Sequence, residues 1–362
     1  MIYAQTYRNA FQIALRLVLL LGASTTLPGA DPTSTPNVEI HGLRRVFSNG
    51  EHNAFTDLVR FRNQFYLTFR TCPDGHMVHP TSAIVILTSL DAKEWREVHR
   101  FSVKDRDTRD PHFLVFRDKL FVYTGTWYSG ATTLSRSEYD LNKHLGYAAW
   151  SSDGVQWHSP ILMEGTFGHY IWRAATFGGK AYLCGRRKTD FADGPKGEGA
   201  AVQSILLESD DGLIWRKCGV FQEVSGDETA FLFESDGSLL AIGRRGRGNA
   251  QLILARAPYK EFQRSDLDRY IGGPLISKWG SRMVVAGRHT TTERGAKTSF
   301  CWLVDGRLTE FAELPSGGDN SYPGLIELSP EQALISYYSS HEHDSAGKVV
   351  TGIYLAELTI AK

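Results

Sequence analysis

Past residue 30, the apolar residues of this chain gather in short runs rich in β-branched and aromatic side chains, and the runs come in pairs split by a few polar residues. Six such pairs occur: 58–61 with 65–67, 113–116 with 120–123, 174–177 with 181–183, 231–233 with 239–242, 275–276 with 283–285, and 325–326 with 333–336. The separators, among them Arg117-Asp118-Lys119, Gly178-Gly179-Lys180 and Asp236-Gly237, are turn formers, so each pair predicts a β-hairpin. The pattern predicts no helix of ordinary length in this part of the chain.

A second motif sits between the pairs. Ser-x-Asp, a small residue, two free positions and Trp recur as Ser89 to Trp95, Ser151 to Trp157 and Ser209 to Trp215, each after an apolar run such as Ile84-Val85-Ile86-Leu87. Ser and Asp side chains bond the backbone of a tight turn, glycine supplies a positive φ, and the Trp anchors the turn to a core. These are turns of outer hairpins. The last three units have only degenerate versions, 252–254, 300–303 and 352–355. One inner and one outer hairpin per roughly fifty residues predicts an all-β fold, a six-bladed β-propeller of four-stranded antiparallel blades. The segment Val38–Phe47 precedes the first inner hairpin and is placed to pair with the last unit, leaving no open sheet edge.

Residues 1–30 read differently. Arg8 and Arg16 precede the apolar run 17–23, and small residues follow to Gly29-Ala30, the three-part pattern of a signal peptide whose apolar run is too short to span a bilayer. The expected organisation is a signal peptide over 1–30 and one propeller over 31–362. The protein is then exported, with no stable membrane insertion once the leader is removed, and a monomer. Forty Lys and Arg balance forty Asp and Glu, so net charge gives no pointer to nucleic acid. Cys72, Cys184, Cys218 and Cys301 lie far apart with no C-x-x-C pair, which predicts isolated thiols rather than a disulfide framework or a zinc site. No metal and no cofactor is expected, and the run His341-Glu342-His343-Asp344 reads as a solvated loop.

In an antiparallel hairpin the start of the first strand and the end of the second share one edge. If the inner hairpins line the axis, one mouth collects Asn53, Asp57, Asp110, His112, Arg173, Asp227, Glu228 and Tyr322 from strand starts, and Arg70, Arg186, Arg187, Arg244, Arg245 and Arg288 from strand ends. An arginine ends the second strand in four of the six units, which suits an anionic ligand held by guanidinium groups.

The three Ser-x-Asp-x-x-x-Trp turns are Asp-box motifs, and over essentially the whole chain past the leader the pattern resembles the sialidase (neuraminidase) superfamily. The stretch from Glu228 to Arg244 looks like that family's hairpin opening on the active-site glutamate and ending on a substrate-binding arginine. Ser321-Tyr322-Pro323-Gly324 looks like the strand opening on the nucleophilic tyrosine, and Arg288 is placed like another arginine of the carboxylate-binding triad. A tyrosine nucleophile activated by a glutamate suits an anomeric carbon that already carries a carboxylate, which would repel an anionic nucleophile. Two stretches depart from the family. Where sialidases have Arg-Ile-Pro, residues 53–59 contain no arginine, and the loop 71–79 that should carry the acid offers Asp74, His76 and His79.

The resemblance implies an exo-glycoside hydrolase acting on a terminal acidic sugar, sialic acid or a related monosaccharide, with an acidic glycan or glycoconjugate as partner. Tyr322, Glu228, Asp74 and His76 are the catalytic candidates. Arg70, Arg187, Arg244, Arg288, Asp110 and His112 are the substrate-binding ones. Two alternatives keep the fold: a lyase on a uronic-acid glycan, and a non-catalytic propeller that binds acidic glycans.

Overall fold

The structure is a computed structural model that describes residues 35–192 and 201–361; the expected signal peptide lies outside the described residues. Twenty-four strands and three one-turn 3-10 helices make up the regular elements among the described residues. They form a β-propeller of four-stranded antiparallel blades. In each blade the strands succeed one another in chain order, as in Tyr170–Phe177, Lys180–Lys188, Val202–Ser209 and Arg216–Gln222.

Four sheets stand alone, beginning at Arg106, Tyr170, Gly226 and Gly272. Where the sequence predicts six separate sheets, the remaining strands form one eight-stranded sheet. The cause is local. Strand His52–Phe61 meets strand Val349–Ile360 in parallel at a single pair, His52 with Thr351, and this joins the first hairpins to the last. Val38–Phe47 pairs antiparallel with Val349–Ile360, so the first and last described strands share one sheet. His341 to His343, expected in a loop, continue the strand Gln332–His343 because its partner Val349–Ile360 extends the ladder that far.

The three Ser-x-Asp turns share one set of bonds. Asp153 Oδ1 accepts from the amides of Val155 and Gln156, both at 2.8 Å, and Asp91 and Asp211 accept in the same way. Gly154 has φ +79°, and a Cβ there would lie 1.9 Å from the Tyr66 hydroxyl, so only glycine lets the turn sit on the neighbouring blade. The Asp side chains of the turns are thus engaged with their own backbone.

Six innermost strands carry the same irregularity. Each has one extra residue against its partner, between Ala54 and Asp57, Arg109 and His112, Ile171 and Ala174, Gly226 and Thr229, Gly272 and Leu275, and Ser321 and Gly324. A β-bulge of this kind bends the strand and re-aims a side chain. Phe55 (φ 65°), Asp110 (φ 53°) and Tyr322 (φ 53°) adopt left-handed backbone at these bulges, at a cost of order 1 kcal/mol or more each.

Candidate active site

The bulges bring Tyr322 and Glu228 together across the axis. The Tyr322 hydroxyl donates to Glu228 Oε1 at 2.7 Å. Glu228 Oε2 accepts from Arg244 Nη1 at 2.9 Å and from the Gly273 amide at 3.0 Å. Gly273 is itself a bulge residue (φ +59°), and a Cβ there would meet the Tyr322 ring at 2.6 Å, so the glycine both makes room for the ring and presents its N–H. Phe55, Trp172 and Tyr338 fix that ring, with centroids at 4.9, 5.2 and 5.8 Å.

Burial by itself would raise the Glu228 carboxyl, but Arg244, the Tyr322 hydroxyl and Arg186 hold it well below the usual range. Burial, with Glu228 and Asp110 adding to it against Arg244 and Arg288, pushes the Tyr322 hydroxyl well above its ordinary value. At neutral pH the pair is therefore a protonated phenol beside an ionised carboxylate, the state in which a base stands ready to take the proton of a nucleophile.

Guanidinium groups surround this pair. Arg288 lies 5.8 Å over the Tyr322 ring, and Arg109 lies 5.3 Å over Phe55. Arg186 bonds Asp227 and lies 5.3 Å over Tyr170, while Arg244 lies 5.5 Å over Tyr270. The buried Nε atoms of Arg109, Arg186 and Arg288 have no protein partner. Arg70, Arg109, Arg186, Arg244 and Arg288 stand against Asp107, Asp227, Glu228 and Asp319. Five guanidinium groups face four carboxylates there, so positive charge is in excess, which suits an anionic ligand.

Asp110 sits in the floor. Its Oδ2 accepts from the Tyr170 hydroxyl, and its buried Oδ1 has no protein partner. Burial, offset in part by Arg109 and reinforced by Glu228, pushes this carboxyl up to about 7. The unfolded value is about 3.9, so between those pH values the native state holds a proton that the unfolded state releases. Stability contributed by this group is full below about pH 4, falls as pH rises through 7 and then levels, by up to about 4 kcal/mol. Asp110→Asn removes the titration. We expect urea unfolding to show the variant gaining on the wild type between pH 5 and pH 8; a constant difference across that range would refute the assignment.

The other predicted residues separate. Arg70 is fully buried, bonded to Asp107 and to the carbonyls of Gly75 and Met77, and has no free face for a ligand. Arg187 leaves the cluster because neighbours on a strand face opposite ways. Arg186 takes the inward position, and Arg187 acts electrostatically on His169. His112 is buried beneath the mouth, 3.5 Å from Asp57 and edge-on to Trp172, so it does not reach a ligand. Asp74 is exposed and bonds Thr81 on its own loop. His76 does come to the mouth: its Nδ1 lies 2.7 Å from Asp319 Oδ2.

Arg109, Tyr170, Tyr270 and Asp319 join the cluster without having been singled out in the sequence. Asp319 holds several groups at once: Tyr338 and His52 donate to it, each at 2.9 Å, and Arg288 forms an ion pair with it at 3.6 Å. Burial would raise its carboxyl, but the bonds from His52 and His76 keep it well below the usual range. His52, His76 and Asp319 bring potential metal ligands within 4.8 Å of one another. The donor set does not suit a cation. Arg70 Nη1 lies 3.4 Å from His52 Nδ1 and can only donate, which places the His52 proton on Nε2, the atom facing Asp319.

The architecture is a β-propeller with a sialidase-like fold. A protein of unknown function from Dyadobacter fermentans DSM 18053 superposes with a TM-score of 0.75 at 18% identity, over 90% of this chain and 100% of that one. Trypanosoma rangeli sialidase in complex with sialic acid superposes with a TM-score of 0.63 at 12% identity, over 90% of this chain; the match spans 59% of the sialidase. Phage phi92 endosialidase gives 0.61 at 7% identity, over 89% of this chain and 69% of that one. At these identities the likeness concerns the fold. No family model and no curated protein matches the sequence.

Proposed function

We propose that this protein is an exported, sialidase-like exo-glycoside hydrolase that releases a terminal acidic sugar, sialic acid or a related acidic monosaccharide, from a glycan or glycoconjugate. The observation that carries this reading is the 2.7 Å bond between the Tyr322 hydroxyl and ionised Glu228 at an arginine-ringed mouth. Tyr322 attacks the anomeric carbon, Glu228 takes its proton, and Arg244 and Arg288, whose side chains are 23% and 21% exposed, meet the sugar carboxylate. Phe55 occupies the bulge where the family's Arg-Ile-Pro arginine is missing. The same reading counts six blades, taking the eight-stranded sheet as two that meet at His52 and Thr351; the six recurring bulges support that count.

A second reading, a lyase on a uronic-acid glycan, draws support from the histidine His76 at the rim beside a tyrosine paired with a carboxylate. The test is a panel of aryl glycosides of acidic sugars and of acidic polysaccharides. Release of free acidic sugar is expected. An unsaturated product absorbing in the ultraviolet would replace the hydrolase with the lyase, and binding with neither product would leave a glycan-binding propeller.

A further inference from the structure

A tyrosine and its base break no glycosidic bond to a poor leaving group without an acid, and three side chains compete for that role. Asp74 is engaged with Thr81, on the exposed side of its loop. Asp110 has the right proton affinity but the wrong place: it is 4% exposed, in the floor between Arg109 and Tyr170. In an exo-acting enzyme the remainder of the glycan leaves toward solvent, so the acid must stand at the rim.

His76 stands there. Its side chain is 46% exposed, and its ring lies 5.8 Å from Phe55, which packs 4.9 Å from Tyr322. Asp319 accepts from Nδ1, which fixes the ring and directs Nε2 away from the carboxylate. Arg109 bonds the His76 carbonyl and so ties this stretch of the loop to the mouth. The same Asp319 carboxylate lies 3.6 Å from Arg288, so one group sets both the acid and an arginine of the anion site.

Building on the hydrolase reading, we propose that His76, oriented by Asp319, is the general acid of this site and in the second half-reaction its general base. In the first step the Tyr322 oxygen bonds the anomeric carbon and its proton passes to Glu228. The bond to the leaving oxygen breaks, and that oxygen takes the proton from His76 Nε2. In the second step water attacks the anomeric carbon and gives a proton to His76 Nε2, while the phenolate departs and recovers its proton from Glu228. The sum is one water consumed per bond cleaved.

The experiment compares two leaving groups. His76→Ala and His76→Gln are assayed on the 4-nitrophenyl and the methyl α-glycoside of the acidic sugar that the wild type turns over, sialic acid first. A nitrophenolate leaves without protonation and an alkoxide does not, so kcat/KM should fall less than about tenfold on the aryl glycoside. It should fall about 10²- to 10⁴-fold on the methyl glycoside. Circular dichroism and thermal unfolding check that both variants fold. Equal losses on the two substrates, or the same leaving-group dependence in Asp110→Asn instead, would overturn the role of His76 while leaving the hydrolase intact. No turnover of either glycoside by the wild type overturns the hydrolase reading, and the role of His76 with it.

Discussion

Tyr322→Phe should lower kcat on an acidic aryl glycoside by about 10³-fold or more while changing the affinity for the free sugar only a few-fold. The substitution removes one oxygen and keeps the ring, whose contacts with Phe55, Trp172 and Tyr338 do not involve the hydroxyl. Glu228 Oε1 loses its donor, but Oε2 keeps Arg244 and the Gly273 amide, so the carboxylate stays in place. The cost in stability should therefore stay near the net worth of one hydrogen bond, about 1 kcal/mol. Steady-state kinetics and isothermal titration with the product sugar separate the two effects. Activity within tenfold of the wild type would remove Tyr322 as nucleophile, and a parallel collapse of binding would make it a structural residue of the mouth.

The features the sequence made legible are those fixed by short-range chemistry. The Ser-x-Asp turns depend on bonds between residues two or three apart, such as Asp153 to Val155 and Gln156, and they fold as their residues suggest. The inner hairpins were marked by turn residues, and the pairing of Val38–Phe47 with the last strand followed from its position before the first hairpin. The bulges left no such mark. Phe55, Asp110, Trp172, Asp227, Gly273 and Tyr322 at the bulges are of five residue types, and no single type marks the position. One extra residue also reverses which side chains face inward. Arg186 rather than Arg187 joins the cluster because neighbours alternate on their own unbulged strand, and Arg109 was missed because the bulge on its strand falls directly after it. Asp319, just before its strand, acts only through partners from distant parts of the chain, His52, His76 and Arg288, and no spacing rule announces such a group.

Arg173→Ala should cost about 3–5 kcal/mol of stability, the largest loss we expect from any single side chain at the axis. Arg173 lies at the bulge of strand Tyr170–Phe177, and its buried guanidinium reaches three other inner strands. Nη1 bonds Asp57 at 3.0 Å, Nε bonds the Pro274 carbonyl at 3.0 Å, and Nη2 bonds the Pro323 carbonyl at 2.6 Å. Asp57 in turn accepts the Phe113 amide at 2.8 Å, so a fifth inner strand is tied to the same centre. Truncation would leave the Asp57 carboxylate buried without its cation and two carbonyls without donors, and both defects are costly away from water. The effect should reach the site, because Pro323 follows Tyr322 and its carbonyl helps hold the bulge that aims the phenol at Glu228. Urea unfolding of Arg173→Ala, Asp57→Asn and the double variant measures the coupling. The double variant should be less destabilised than the sum of the singles by about 1–3 kcal/mol, since neutralising Asp57 removes the uncompensated charge. A loss below about 1 kcal/mol for Arg173→Ala, or strictly additive singles, would show that the guanidinium is solvated in the native protein and that the inner strands are held by their apolar faces alone.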